Sequence, residues 1–590
     1  MSTTHLHEMP SGAQPVRRPI MQRLRVLMAP IRATVVRRAE WFVAALALYR
    51  LVGLGFGEMQ AWDEALYALR AMGIRLFGVV WDQSAVLPDG AYYAAHPPLH
   101  VWTSVFWTLF FGIDVWVFRL TSALAAAALV VLVYRFMLRR TTREAALLAC
   151  AFLAGAPLVT FYSRQGQVDL LLALCMVLAT LGAAAHARTG RRMPLAGAVL
   201  ALGAALMTKM LFALIVPAAL VVAGFRTEGT VRRRLVTAAV LLPILSLPLW
   251  LPWLWSWIAA HAGGDVRALV EGRTPLGRTL GGGEGVAKAS GALFYLNQLV
   301  VELSVLFPLF ATALARVAMG REGTTITVLG AVTFVHLVVV HLPASTFAVY
   351  LIPMLPLAIV LAVHVLQQVV EWDPGEQAAM LALMALSAIW SASDTARASS
   401  LSVFRTLARL AEPQGGDVAA LLLLLVAAAL ALTGVFLLHR RNLAGRAVWP
   451  LAVAVTCIIA TATCVRIWLV DPTERSDGAQ IVAERALELP VREIVLIGDG
   501  ENPQLTWYLG GRDAGWITHE ERRYTRLQPR LRGVEGVRGA LEGMHADGAV
   551  GVIFEKEFVV PGIPRYGRDM LPASAHLMLE APRYALYVLR

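Results

Sequence analysis

The sequence predicts a polytopic α-helical membrane protein of about thirteen transmembrane helices, with a C-terminal soluble α/β domain on the exterior face. Three observations carry this. Of the 590 residues, 58% are apolar and only 16% charged, with a mean hydropathy of +0.63, whereas an ordinary soluble protein has about a quarter of its residues charged. Apolar runs of membrane-spanning length alternate with short Arg-rich connections. Beyond Asp471 the pattern changes to short apolar strands and polar helical segments.

Residues 1–39 are a basic segment, with Arg17, Arg18, Arg23, Arg25, Arg32, Arg37 and Arg38 ahead of the first apolar run. Such a cluster marks the cytoplasmic side. No short apolar region with a small-residue cleavage site precedes that run, so it reads as a retained first span. Spans of about 20 apolar residues are placed at 40–57, 115–137, 144–162, 168–186, 194–209, 211–225, 235–257, 291–315, 324–342, 347–369, 377–392, 417–438 and 447–470. With the N-terminus inside, five basic loops fall on the cytoplasmic side: Arg139/Arg140/Arg143, Arg188/Arg191/Arg192, Arg226/Arg232–Arg234, Arg316/Arg321 and Arg440/Arg441. The charge of +12 lies largely in such loops, a topology signal that argues against nucleic acid as a partner. The apolar piece 99–111 reads as an interfacial or re-entrant helix, because counting it as a span would invert all five loops. The transmembrane region thus covers 40–470, with the loop at 58–114 on the periplasmic or exterior face.

The tail 471–590 alternates "EIVLIG", "GAVGVIF" and "YALYVLR" with "GAQIVAERALEL" and "VRGALEGMHADG", the lengths expected of strands and helices in a small periplasmic α/β domain. "GDGENPQ" lacks the GxGxxG and GK[ST] patterns of phosphate loops. Cys150, Cys175, Cys457 and Cys464 fall inside apolar runs without CxxC spacing, so neither a disulfide framework nor a Cys-based metal site is expected.

Polar residues recur at one face. "QAWDEALYALR" puts Asp63 and Glu64 just beyond the first span. Asp63 and Tyr67, four apart, share a helix face, and Asp63 as a first-turn acid or N-cap is an equally open reading. Arg164 and Asp169 bracket the outer end of the fourth span, Lys209 interrupts the outer turn between the fifth and sixth, and His341 and Tyr350 sit at the outer ends of the ninth and tenth. Lys209 alone reads as a snorkelling anchor, and His341 alone as a satisfied interfacial residue. Together these groups fit a site for a lipid-linked anion.

"WDEALYA", "HPPLHVW", "FRLTSALA", "SRQGQVDLLLA", "LMTKMLFALIVP" and "YLIPMLPLA", in that order over roughly residues 40–370, resemble the GT-C membrane glycosyltransferases, in particular the protein O-mannosyltransferases and the aminoarabinose transferases that modify lipid A. The resemblance implies transfer of a sugar from a polyprenyl-phosphate donor to a lipid, glycan or protein acceptor at the outer face. It implies Asp63 as general base, Glu64 as its helper, Asp169 as a second acid, and Arg164, Lys209, Tyr350, His96 and Arg119 around the donor phosphate; packing against headgroups explains Arg119 equally well. This chain reads "AHPP" where the lipid A transferases usually read "EKPP", so Ala95 removes a metal-binding carboxylate and His96 replaces a basic contact. For a divalent metal, His261 and Glu271 are the candidates that remain; no other cofactor is implied. The loop from Ala259 to Ser290 reads as a lid or as a plain linker, and 393–413 as an amphipathic surface helix. The competing readings are a transporter or lipid flippase with Asp169 and Lys209 on its substrate path, and a non-catalytic scaffold, which leaves Asp63 and Asp169 unexplained.

Overall fold

The computed structural model describes residues 37–60, 63–78, 80–81, 85–87, 90–92, 97–261, 293–342, 347–398, 416–441, 443–465, 478–498, 502–511, 523–527, 529–546, 548–556 and 570–589. Helix lies within each expected span among the described residues, although in the first, 40–57, it ends at Leu51. In chain order these are α1 (Ala39–Leu48), α2 (Asp63–Phe77), α3 (Leu99–Phe111), α4 (Val115–Leu138), α5 (Arg143–Gly155), α6 (Pro157–Tyr162), α7 (Asp169–Thr189), α8 (Arg192–Ala213), α9 (Ile215–Gly224), α10 (Gly229–His261), α11 (Phe294–Leu303), α12 (Phe307–Ala318), α13 (Thr324–Val340), α14 (Leu355–Gln368), α15 (Pro374–Ala398), α16 (Gly416–Arg440) and α17 (Ala444–Val465). α2 and α3 belong to the loop after the first span. Six helical segments among the described residues are long and apolar enough to cross a membrane: Val115–Leu138, Asp169–Thr189, Arg192–Met210, Gly229–Ala259, Phe294–Ala318 and Ala348–Glu371.

The structure breaks several runs that hydropathy reads as continuous. Pro157 opens a new helix after Ala156, because proline lacks the N–H that would continue α5. At Ser304 the backbone turns through φ 45° and separates α11 from α12. α8 is interrupted at Lys209, whose φ of −154° and ψ of 83° are extended rather than helical. The apolar piece 99–111 is the 13-residue helix α3. A short hairpin, β1 (Ala85–Leu87) with β2 (Gly90–Tyr92), lies in the same loop. The basic segment through residue 36, most of the 259–290 loop and residues 399–413 lie outside the described residues.

The tail folds as α18 (Ala479–Glu488), β3 (Glu493–Ile497), α19 (Pro503–Thr506), β4 (Arg523–Leu527), α20 (Pro529–Ala546), β5 (Val550–Glu555), β6 (Ala575–Glu580) and β7 (Tyr584–Leu589). Its five-stranded sheet has the order β4-β3-β5-β7-β6, with β3 parallel to β4 and β5, and β7 antiparallel to β5 and β6. β5 and β7 are buried along their whole length, as expected of central strands covered on both faces. The edge strands β4 and β6 are absent from the sequence reading because their polar faces give no apolar run.

One core of small and aliphatic side chains fills the helical bundle. A second core is shared: Met59, Tyr67, Met72, Val101 and Phe118 pack in one cluster with Val482, Ile494, Trp507 and Leu586 of the C-terminal domain. The loop after the first span is therefore sandwiched between bundle and domain.

Candidate functional site

α2 begins where Gln60 and Glu64 bond reciprocally. The Gln60 N–H donates to Glu64 Oε2 at 2.7 Å, and the Glu64 N–H donates to Gln60 Oε1 at 3.5 Å. This turns Glu64 inward, to zero exposure, while leaving its neighbour Asp63 exposed. Two adjacent carboxylates thus acquire opposite environments.

Glu64 meets Arg119 of α4. The guanidinium donates to Glu64 Oε1 at 2.7 Å and Oε2 at 3.0 Å, and to the carbonyls of Leu54, Phe56 and Glu58 at 2.7, 2.9 and 2.8 Å. An arginine carries five N–H donors, and these contacts use them all. Glu64 Oε1 also accepts the Gly166 N–H at 2.8 Å. Burial alone would raise the Glu64 carboxyl; the charge and hydrogen bonds of Arg119, with the Gln60 and Gly166 amides, outweigh it and hold the group below its ordinary value. Arg119, expected at the donor phosphate, is instead saturated and 1% exposed, because the loop carbonyls and Glu64 take its donors. Glu64, expected as a helper of the base, is likewise fully occupied, and both residues fix the loop around Asp63.

Gly166 explains the close approach of the next segment. A Cβ there would lie 2.9 Å from the Phe118 carbonyl oxygen and 3.4 Å from Glu64 Cγ. Gln167 extends the contact, its amide donating to Gln60 Oε1 at 3.1 Å, and its backbone exchanges hydrogen bonds with Ser122 Oγ. The nearby Arg164 donates through Nη1 to the Val52 carbonyl at 2.8 Å and through Nη2 to that of Gly53, so it braces the exit of the first span. His100 is fully buried edge-on to Tyr67 at 5.3 Å, and burial pushes its imidazole down to about 4, so it is neutral.

Asp169 opens α7 immediately after this segment, where the helix dipole favours a carboxylate. Its Oδ1 accepts Lys209 Nζ at 2.9 Å. The break in α8 at Lys209 places the ammonium 4.7 Å from the Tyr350 ring centre and 5.2 Å from that of Phe212, within cation–π range. His336 Nε2 meets the Tyr350 carbonyl at 2.6 Å and steadies that wall. The Asp63 carboxylate is near enough to Lys209 to act on its charge. Asp169, Lys209 and Tyr350 therefore meet in one assembly, and Glu64, Arg119 and Arg164 hold the neighbouring segments in place. An ammonium has three donors, and Lys209 spends one on Asp169, which leaves a cation with donors to offer beside an exposed carboxylate.

Of the remaining expected residues, His96 and Glu271 lie outside the described residues, and His261 ends α10 with its side chain likewise undescribed. His341 is turned into its own helix end, Nδ1 on the Leu337 carbonyl at 2.6 Å. Among the described residues no group of three or more His, Cys, Asp or Glu side chains is arranged to hold a metal. The sequence reading missed Gln60, Gly166, Gln167 and Glu58. The i, i+4 spacing of Gln60 and Glu64 was the one available signal.

Comparison with known proteins bears on the fold. Residues 95–257 match the family model described as dolichyl-phosphate-mannose-protein mannosyltransferase. A stretch of 151 residues, 25% of this chain, is 29% identical to the protein described as "Putative mannosyltransferase YkcB" of Bacillus subtilis and spans 21% of that protein's length. The crystal structure of ArnT from Cupriavidus metallidurans in the apo state superposes with a TM-score of 0.58 at 18% identity, over 95% of this chain and 98% of that one. The structure of the same protein bound to undecaprenyl phosphate gives 0.59 at 16% identity, over 93% and 97%. The chain has the GT-C fold and resembles the protein O-mannosyltransferase and ArnT families.

Proposed function

We propose that the chain is a glycosyltransferase that moves a sugar from a polyprenyl-phosphate donor to an acceptor hydroxyl at the outer face of the inner membrane, with the C-terminal domain in the periplasm. The observation that carries this is the Asp169–Lys209–Tyr350 assembly at a helix break beside exposed Asp63. Support also comes from the family model over residues 95–257 and from the polyprenyl phosphate bound by the similarly folded ArnT.

In this reading Asp63 takes the proton of the acceptor hydroxyl as its oxygen attacks the anomeric carbon. The bond from that carbon to the phosphate oxygen breaks, and the electron pair leaves with the polyprenyl phosphate. Lys209 stabilises the departing oxygens as a point charge, the Tyr350 ring packs against that ammonium, and Asp169 holds the lysine in place. His96 is proposed as a further contact of the donor phosphate, and Arg164, held on the Val52 and Gly53 carbonyls, as support for the neighbouring wall. Arg119 and Glu64 act one step back, by fixing the loop that presents Asp63.

The test is release of polyprenyl phosphate and appearance of a glycosylated product from the full chain reconstituted with a panel of polyprenyl-phosphate sugars. Mass spectrometry of envelope lipids, glycans and proteins with and without the gene identifies the acceptor. Donor turnover with sugar in a new covalent linkage is expected; passage of intact donor across a vesicle membrane without bond cleavage would replace this reading with the flippase.

A further inference from the structure

The N-terminus of α18 has no cap of its own. Gly478, with φ 82°, turns the chain into the helix and contributes no side-chain acceptor. The acceptors come instead from a residue 420 positions earlier: Glu58 Oε2 takes the N–H groups of Gly478 and Ala479 at 3.1 and 3.2 Å, and Oε1 takes that of Gln480 at 3.2 Å. A carboxylate on the first free amides of a helix satisfies orphan donors and complements the dipole. Met59 is gripped from the same side. Its N–H donates to the Tyr508 hydroxyl at 2.9 Å and its carbonyl accepts the Gln504 amide at 2.7 Å. The Phe118 ring, one residue before Arg119, stands edge-on to Trp507 at 5.1 Å.

The other face of this segment belongs to the site. The Glu58 carbonyl accepts Arg119 Nη2, which also holds Glu64, and Gln60 bonds to Glu64 and Gln167. Residues 58–60 thus reach into the C-terminal domain through the Glu58 carboxylate and bond through Gln60 to Glu64, the neighbour of Asp63. We infer that docking of the C-terminal domain sets the conformation of the Asp63 loop, with Glu58 as the positioning residue that joins the two. The mechanical coupling stands on these contacts alone; its effect on catalysis rests on the reading of Asp63 given above.

The experiment is hydrogen–deuterium exchange on the full chain in detergent, comparing wild type with Glu58→Gln, with Tyr508→Phe, and with the control Glu535→Gln on exposed α20. A glutamine offers one acceptor oxygen where Glu58 offers two and sets an NH2 group against backbone N–H groups. Loss of the cap is expected to speed exchange over 478–488 by about tenfold, the usual scale of a lost N-cap. Coupling predicts a concurrent rise over 60–70 of about threefold or more, because a local opening spreads through its cooperative unit. It also predicts a kcat lowered by about tenfold with donor affinity unchanged, the signature of a mispositioned group rather than a lost binding contact. Tyr508→Phe removes the Met59 contact and leaves the cap in place, so it should raise exchange over 60–70 and lower kcat in the same way, and Glu535→Gln should do neither. Faster exchange over 478–488 in Glu58→Gln, with exchange over 60–70 unchanged in both variants, would overturn the inference. Coupled exchange in a protein that transfers no sugar from any donor would support the coupling while removing the proposed reaction, so the two fail separately.

Discussion

Arg119→Lys perturbs the site where its bonding is most complete. The guanidinium makes five hydrogen bonds, two to Glu64 and three to loop carbonyls, at 1% exposure. A lysine has three donors and cannot reach the same acceptors from a single nitrogen. At least two buried acceptors lose their partners, and at about 1–3 kcal/mol each the variant should be less stable by roughly 2–6 kcal/mol. The charge is kept, so the loss reports geometry and donor number rather than an unpaired ion. SDS-titrated unfolding of the purified full chain in detergent, followed by circular dichroism, measures it. A change within about 1 kcal/mol, the size of an exposed ion pair, would show that the Arg119–Glu64 unit does not hold the loop.

Gly166→Ala would put a Cβ 2.9 Å from the Phe118 carbonyl oxygen, and the required shift should cost about 1–3 kcal/mol in the same unfolding assay. Glu64→Gln tests the depressed carboxyl. A group held below its ordinary value stabilises the fold above that value and loses the contribution as pH falls through the folded-state value, so the variant should be less stable at pH 7 and the gap should begin to narrow below 4.5. Unfolding at pH 7 and pH 4 checks this; a gap that widens in acid would reverse the assignment. Lys209→Gln removes the charge beside Asp169, and binding of undecaprenyl phosphate, followed by calorimetry, should weaken by about 10- to 100-fold, the scale of one charge-assisted hydrogen bond.

Much of the bundle was legible because the bilayer imposes a simple rule, about 20 apolar residues per helix, and helix is found within each apolar run among the described residues. The interruptions were legible only in part. Pro157 announces its break chemically, whereas Ser304 and Lys209 break their helices without a proline or glycine at the break, so tertiary packing decides. Asp63, Asp169 and Lys209 stood out as charges where lipid or its edge makes charge costly. Their pairings did not, because Asp169 meets Lys209 across 40 residues and Glu64 meets Arg119 across 55, separations at which a single sequence carries no pairing signal. Adjacent Asp63 and Glu64 look interchangeable in the sequence; the Gln60 contact and the Arg119 clamp separate them into an exposed and a buried acid. Glu58 was invisible for the same reason, since its partners lie in another domain.

The central claim, that Asp63 is the base, is tested most directly by Asp63→Asn. Asparagine is as good as aspartate at a helix start, so a merely structural acid would be replaced without loss, whereas an amide cannot accept the proton. With single-turnover transfer and donor binding measured on the same preparation, the rate should fall by at least about 100-fold, the lower range for a lost general base, while donor affinity stays within about threefold. Transfer within about threefold of wild type would contradict the assignment.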